Sequence, residues 1–173
     1  RRGIAPENVF FDSTGRGSLM NSFGRLWSPL VNGVEFGGNA SKDRKVSYEM
    51  DVICSDYYFN FVSELWFAVS YTIQSGQFRG MSEEVMAEGC MREWGWQSKK
   101  IQVEPKEKMK LKSGRSPDLF DALAVGVEGA RRRGFQIRRN EAASHKRVDS
   151  TWKRALKERA AKHWRSGELN HAA

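Results

Sequence analysis

Residues 114–135, "GRSPDLFDALAVGVEGARRRGF", decide how the chain is read, because they form an amphipathic helical pattern that opens with two aspartates, Asp118 and Asp121. Ordinary helix chemistry covers the first. Ser116 can cap, Pro117 suits the first helical position, and an acid at Asp118 suits the positive end of the helix dipole. Asp121 falls one turn further on, beside Leu119, Leu123 and Ala124, where the helix should turn its apolar side inward. A carboxylate there must find a partner, take up a proton or hold a metal ion.

The stretch that leads into those acids is "EPKEKMKLKSGR" (104–115), with Lys106, Lys108, Lys110, Lys112 and Arg115. It reads as an exposed loop, either simply solvated or a phosphate-tracking edge beside the carboxylates. Before it, residues 101–103 form a strand, and "SEEVMAEGCMREW" (82–94) opens on Ser82 and acids as helix starts do. "NFVSELWFAVSYTIQSG" (60–76) puts Phe61, Leu65, Ala68, Val69 and Thr72 on one helical stripe and stops at Gly76. Residues 40–59 are polar and mixed, a loop or a hairpin. Trp66, Trp94 and Trp96 are expected in the core.

Near the start, "ENVFFDSTGRGS" (7–18) reads as a short buried strand over residues 9–11 that ends at Asp12 and enters a glycine turn. Leu19, Phe23, Leu26 and Trp27 then follow helical spacing until Pro29, and "NGVEFGGN" (32–39) supplies a second short strand. Strand, turn, helix, strand is the order of an α/β layer with parallel pairing. Asp12 at a strand's C-terminal end is where such sheets keep functional residues, although "DSTG" also favours an Asx-turn. The glycines Gly15 and Gly17 do not make a dinucleotide fingerprint, since Met20 stands where the third glycine belongs. No Walker-type phosphate loop occurs.

A length of 173 residues suits one domain with a tail, and six Trp and ten Phe argue against disorder over most of it. No apolar run is long enough for a membrane span, and the charged start has no apolar signal core behind it. Cys54 and Cys90 stand alone, and His145, His163 and His171 all lie late in the chain, so no zinc spacing arises; two lone cysteines suit a reducing compartment. The net charge of +8 is unevenly placed: residues 1–130 carry 16 Lys and Arg against 17 Asp and Glu, and residues 131–173 carry 13 against 4. That asymmetry suggests a polyanionic partner for the tail, with "DSTWKRALKERAAKHWRSG" (149–167) read as a basic helix.

Taken in order, these pieces resemble the C-terminal nuclease domain of the large terminase subunit of tailed bacteriophages. "PENVFFDSTGRGS" and "VEFGGNA" are similar to two of its strands, and "NFVSELWFAV" is similar to its Asn-x-x-x-Glu-x-Trp helix. "EPKEKMKLKSGRSPDLFDALAVG" is similar to its basic loop and closing Ser-Pro-Asp-x-x-Asp-Ala-Leu helix, the most specific of these motifs.

The resemblance implies a ribonuclease H-like mixed sheet flanked by helices, lacking its first strands, over residues 1–137, with a basic helical tail over 138–173. It implies a metal-dependent endonuclease that cuts concatemeric viral DNA with two Mg²⁺ or Mn²⁺ ions, in which Asp12 and Asp121 hold metal and Asp118 is an auxiliary ligand or only the helix-start acid. Lys106, Lys108, Lys110, Lys112 and Arg115 would contact double-stranded DNA. The implied setting is the host cytoplasm, with portal protein, small terminase subunit and an ATPase motor domain as partners. A further catalytic aspartate of the family is expected upstream of Arg1, so this chain alone should cleave poorly or not at all, with Asp56 or Glu64 as substitutes if it does cleave. Two other readings stay open: a non-catalytic nucleic-acid or portal-binding module, and a recombinase or transposase of the same fold.

Overall fold

The computed structural model describes residues 3–15, 18–139 and 158. The elements are β1 (Phe10–Asp12), α1 (Ser18–Leu26), β2 (Asn32–Val34), β3 (Lys45–Ser47), β4 (Met50–Ile53), α2 (Cys54–Tyr57), α3 (Phe61–Gln74), α4 (Glu83–Met91), β5 (Trp94–Gln97), β6 (Lys100–Val103), α5 (Lys106–Ser113) and α6 (Asp118–Arg132). The architecture is mixed α/β, as the sequence implies. Among the described residues the strands form three pairs rather than one continuous sheet: parallel β1–β2, antiparallel β3–β4 and antiparallel β5–β6.

Strand β1 sits one residue later than its pattern suggests and is half-buried, with Asp12 exposed. Alternation of side chains along a strand explains why it is held on both faces. Phe11 meets Phe23 of α1 edge-on at 4.8 Å, and Phe10 lies against Gly129 of α6, where an added Cβ would stand 2.8 Å from the ring. The rest of the α1 stripe is not covered: Leu19, Leu26 and Trp27 are exposed.

The core lies between α3 and α6, which bury Leu65, Trp66, Val69, Phe120 and Ala124 against Val34, Ile101 and Val103. Each such large apolar side chain contributes about 1.5–3 kcal/mol on burial. Asn60 caps α3 by accepting from the Ser63 backbone N–H at 3.1 Å, and the Ser63 hydroxyl accepts from the Val103 N–H at 3.0 Å, which fixes β6 to the helix start. A buried ion network ties α3 to α6 and to the segment before β3. The Glu64 carboxylate accepts from Arg131 at 2.7 Å and from the Ser41 backbone N–H at 2.7 Å, while Glu128 accepts from Arg44 and Arg132, each at 2.8 Å. The segment over 40–59 is a hairpin followed by the short α2.

Two expectations are corrected here. The lysine-rich stretch is a helix, α5, because Lys, Glu, Met and Leu are good helix formers and Met109 is buried, giving the helix an inner face. Trp94 and Trp96 are 56% and 66% exposed. They lie on β5, which among the described residues pairs only with β6, and from that outer strand Trp94 covers the rim of the core against Phe67 at 5.6 Å instead of entering it. The strand escaped sequence reading because its turn, Ser98 and Lys99 at φ 49° and 64°, lacks the Gly or Asn that usually marks one.

Candidate functional site

The first turn of α6 is built differently from a self-capped helix. Pro117 directly precedes it and supplies no side-chain cap, so Ser116 is not the cap that its position suggests. The nearby Ser116 hydroxyl, followed by the ammonium of Lys106, holds Asp118 below its ordinary pKa. The backbone N–H of Phe120 donates to Glu88 of α4 at 2.8 Å. That carboxylate is raised in pKa, first by burial and then by the charges of Asp118 and Asp121, while the amides of Phe120 and Leu119 act the other way.

Asp121 points inward, as the spacing requires, and is 7% exposed. Its inner-face companions are Phe120, Ala124 and Val125; Leu119 is exposed. The Asp121 Oδ2 accepts from Lys106 Nζ at 2.6 Å, and the same ammonium reaches Asp118 Oδ1 at 3.5 Å. Burial opposes the charge of Lys106, but its bonds to Asp121 and Asp118 outweigh that cost and raise its pKa. The other oxygen, Asp121 Oδ1, is buried with no hydrogen-bond partner among the described residues. The buried, unpaired oxygen is of the kind that a hard divalent ion binds, whereas the ammonium on the other oxygen opposes a further positive charge.

Asp12 lies elsewhere in the local bonding pattern. Its Oδ1 accepts from the Thr14 N–H at 2.8 Å, the Asx-turn that "DSTG" favours. Strand β1 nevertheless runs along α6: the Glu7 carbonyl accepts from Arg133, Phe10 meets Gly129, and a cleft of about 410 Å³ between the two elements extends from Arg133 to Ala122. Among the described residues no group of three or more Asp, Glu, His or Cys side chains stands close enough to hold a metal ion.

The basic residues divide by partner. Lys106 is turned onto Asp121, and Lys112 is bound to Glu93 at 2.8 Å and Glu104 at 3.0 Å, so neither is displayed as a simple outward charge. Lys108 and Lys110 are exposed on α5, and Arg115 is exposed in the turn before α6. Glu64, considered as a substitute acid, is occupied by Arg131 and Ser41, and Asp56 lies in α2. Sequence reading missed Glu88. In "SEEVMAEGCM" it looks like one more surface acid, and only the approach of α4 to α6 gives it a role.

No protein-family model and no curated protein matches this chain. Its structure is similar to the nuclease domain of the large terminase subunit of bacterial virus Sf6, with 20% identity, a TM-score of 0.51, and 68% of this chain and 63% of that domain covered. A lysine-to-alanine mutant of the same domain with manganese matches at 19% identity and TM-score 0.51, over 68% of this chain and 64% of the other. The mutant with manganese and beta-thujaplicinol matches at 19% and 0.51 over 68% and 63%. The chain thus spans less than two thirds of the solved domains. With its strand, helix, strand start and its closing acidic helix in place, the chain shares the fold of the terminase nuclease domain over 68% of its length.

Proposed function

We propose that this chain is the nuclease part of a viral DNA-packaging terminase and cuts concatemeric double-stranded DNA by metal-dependent phosphodiester hydrolysis. The observation that carries this reading is Asp121, a buried aspartate with one oxygen on Lys106 and the other unpartnered, set on the closing helix of a fold shared with a terminase nuclease. Asp121 and Asp12 would hold the ions, Mg²⁺ or Mn²⁺, with Asp118 as the auxiliary carboxylate. Two such ions supply stabilisation of the attacking and leaving oxygens of the phosphodiester.

The chain's own residues supply the setting. Burial of Asp121 fixes its rotamer and excludes water from its inner side, and Lys106 holds the negative charge in the absence of other cations. Lys108 and Lys110 on α5 and Arg115 in the turn before α6 are exposed and suit the phosphates of duplex DNA. The ATPase motor domain, small terminase subunit and portal protein are the partners of this reading, and the host cytoplasm is its compartment. No described helix is long and apolar enough to cross a membrane.

The Lys106–Asp121 pair also favours a second reading, a binding module with structural carboxylates, because an ammonium already neutralises the acid. Metal binding separates the two. Crystals soaked in Mn²⁺ should give anomalous peaks between Asp12 and Asp121, and Asp121→Asn in the complete protein should abolish cleavage while leaving DNA binding nearly intact. Absence of bound Mn²⁺ together with full cleavage by Asp121→Asn would remove the nuclease assignment of this site.

A further inference from the structure

We infer that Glu88 is a positioning residue for the carboxylates of α6, fixing the helix's first turn from the neighbouring helix α4; the inference rests on the reading of Asp121 as a metal ligand. A helix start leaves its first N–H groups without intrahelical partners. Here the usual remedy is missing, since Pro117 stands at the position before the helix and offers no side-chain cap. Glu88, 32 residues away in sequence and 5% exposed, supplies the acceptor for Phe120 N–H.

The adjacent residue completes the grip. A Cβ on Gly89 would lie 2.3 Å from the Phe120 ring, so only glycine lets α4 come this close. The same ring packs on Trp66 with centroids 4.2 Å apart. Phe120 is therefore held by its amide, through Glu88, and by its ring, through Gly89 and Trp66, and Asp121 is the next residue. The placement is costly, because burial and the charges of Asp118 and Asp121 all act against the Glu88 carboxylate. A cap alone could come from any Ser or Asp at the residue before the helix. A cap from α4 adds something else: it fixes where the acids stand relative to another element.

Three variants made in the complete protein test this: Glu88→Gln keeps an acceptor for Phe120 N–H, Glu88→Asp keeps the charge but shortens the reach, and Glu88→Ala removes both. The Mn²⁺ concentration for half-maximal cleavage should rise by about tenfold or more in Ala and Asp, in the range usual for residues that orient metal ligands, and stay within about threefold of wild type in Gln. The KM for DNA should be unchanged. In metal-free protein, amide exchange at Phe120 and Asp121 should quicken by about tenfold in Ala and Asp and not in Gln, the factor that corresponds to removal of one hydrogen bond. Impairment in Gln equal to that in Ala would assign the effect to charge and overturn the inference. So would an Ala variant that melts earlier with unchanged Mn²⁺ dependence. If wild type neither binds Mn²⁺ nor cleaves, the proposed function fails, and unchanged exchange in the metal-free variants separately overturns the role of Glu88.

Discussion

Lys106 and Asp121 stand 15 residues apart in sequence and 2.6 Å apart in space, and the ammonium occupies one side of a carboxylate whose other oxygen is buried and has no hydrogen-bond partner among the described residues. Lys106 is thus the cation paired with Asp121 among the described residues. Lys106→Ala should lower stability by about 1–3 kcal/mol, less than the roughly 3–5 kcal/mol of a fully buried broken pair, because the Lys106 side chain is 34% exposed and its attraction is screened. Millimolar Mn²⁺ should then raise the melting temperature of the variant more than that of wild type, since the metal restores a partner to Asp121. An equal shift in both proteins would show that lysine and metal do not compete.

Arg131 joins two buried acids, with Glu64 at 2.7 Å and Glu128 at 3.4 Å, and its own pKa is raised because their charges outweigh its burial. Arg131→Ala should leave Glu64 without its ion-pair partner among the described residues and cost about 3–5 kcal/mol, the usual penalty for removing one partner of a buried pair. Arg44, 28% exposed in its side chain, shares Glu128 with Arg132, so Arg44→Ala should cost clearly less. Urea denaturation of both variants checks the order. Equal destabilisation would mean that the network is held at its rim rather than at its buried centre.

The parts legible in sequence are those whose pattern is local. The stripe of α3 with its stop at Gly76, the Ser82 start of α4, the β1–α1–β2 order and the inward turn of Asp121 all follow from spacing and capping chemistry within a few residues. The failures share a cause in tertiary structure. The lysines of α5 look like a loop until Met109 is seen to be buried, and Trp94 and Trp96 look like core until β5 proves to be an outer strand. The site was legible only in part: Asp121 and Asp118 come from one helix, but Lys106 as counter-ion and Glu88 as cap depend on how α4 and α5 approach it.

Cys54 gives a pH prediction away from the site. Burial, and then the charge of Glu64, push its thiol from 9.0 up to about 12, against the opposing effect of Arg131. Its folded pKa lies above its unfolded one, so its contribution to stability is complete below about pH 9 and disappears as pH rises toward 12. Over that window it should make stability fall by about 1.4 kcal/mol per pH unit, and Cys54→Ala should flatten the decline by that amount. In native protein at pH 8, Cys54 should resist alkylation until the fold opens. A slope identical in Cys54→Ala and wild type would show that the thiol already ionises in the folded state.

The packed body continues to Arg139, whose N–H donates to Glu49 at 2.8 Å and whose guanidinium lies 5.3 Å from the Tyr71 ring, two residues beyond the boundary that composition suggests. The basic helix expected over 149–167 lies outside the described residues, apart from Glu158. Residues 140–173 carry eight Lys and Arg against four Asp and Glu, so their contribution to DNA binding is testable by deletion. Each DNA phosphate that the shortened chain no longer neutralises should reduce the slope of log affinity against log salt by about 0.9 on duplex DNA. Ending the chain at Arg139 should therefore weaken binding and flatten that slope while leaving the melting temperature unchanged, because the hydrogen bonds of Arg138 and Arg139 to the body are retained. An unchanged slope would assign the segment to a protein partner, for which the packaging portal is the candidate, and a lower melting temperature would show that it packs on the body.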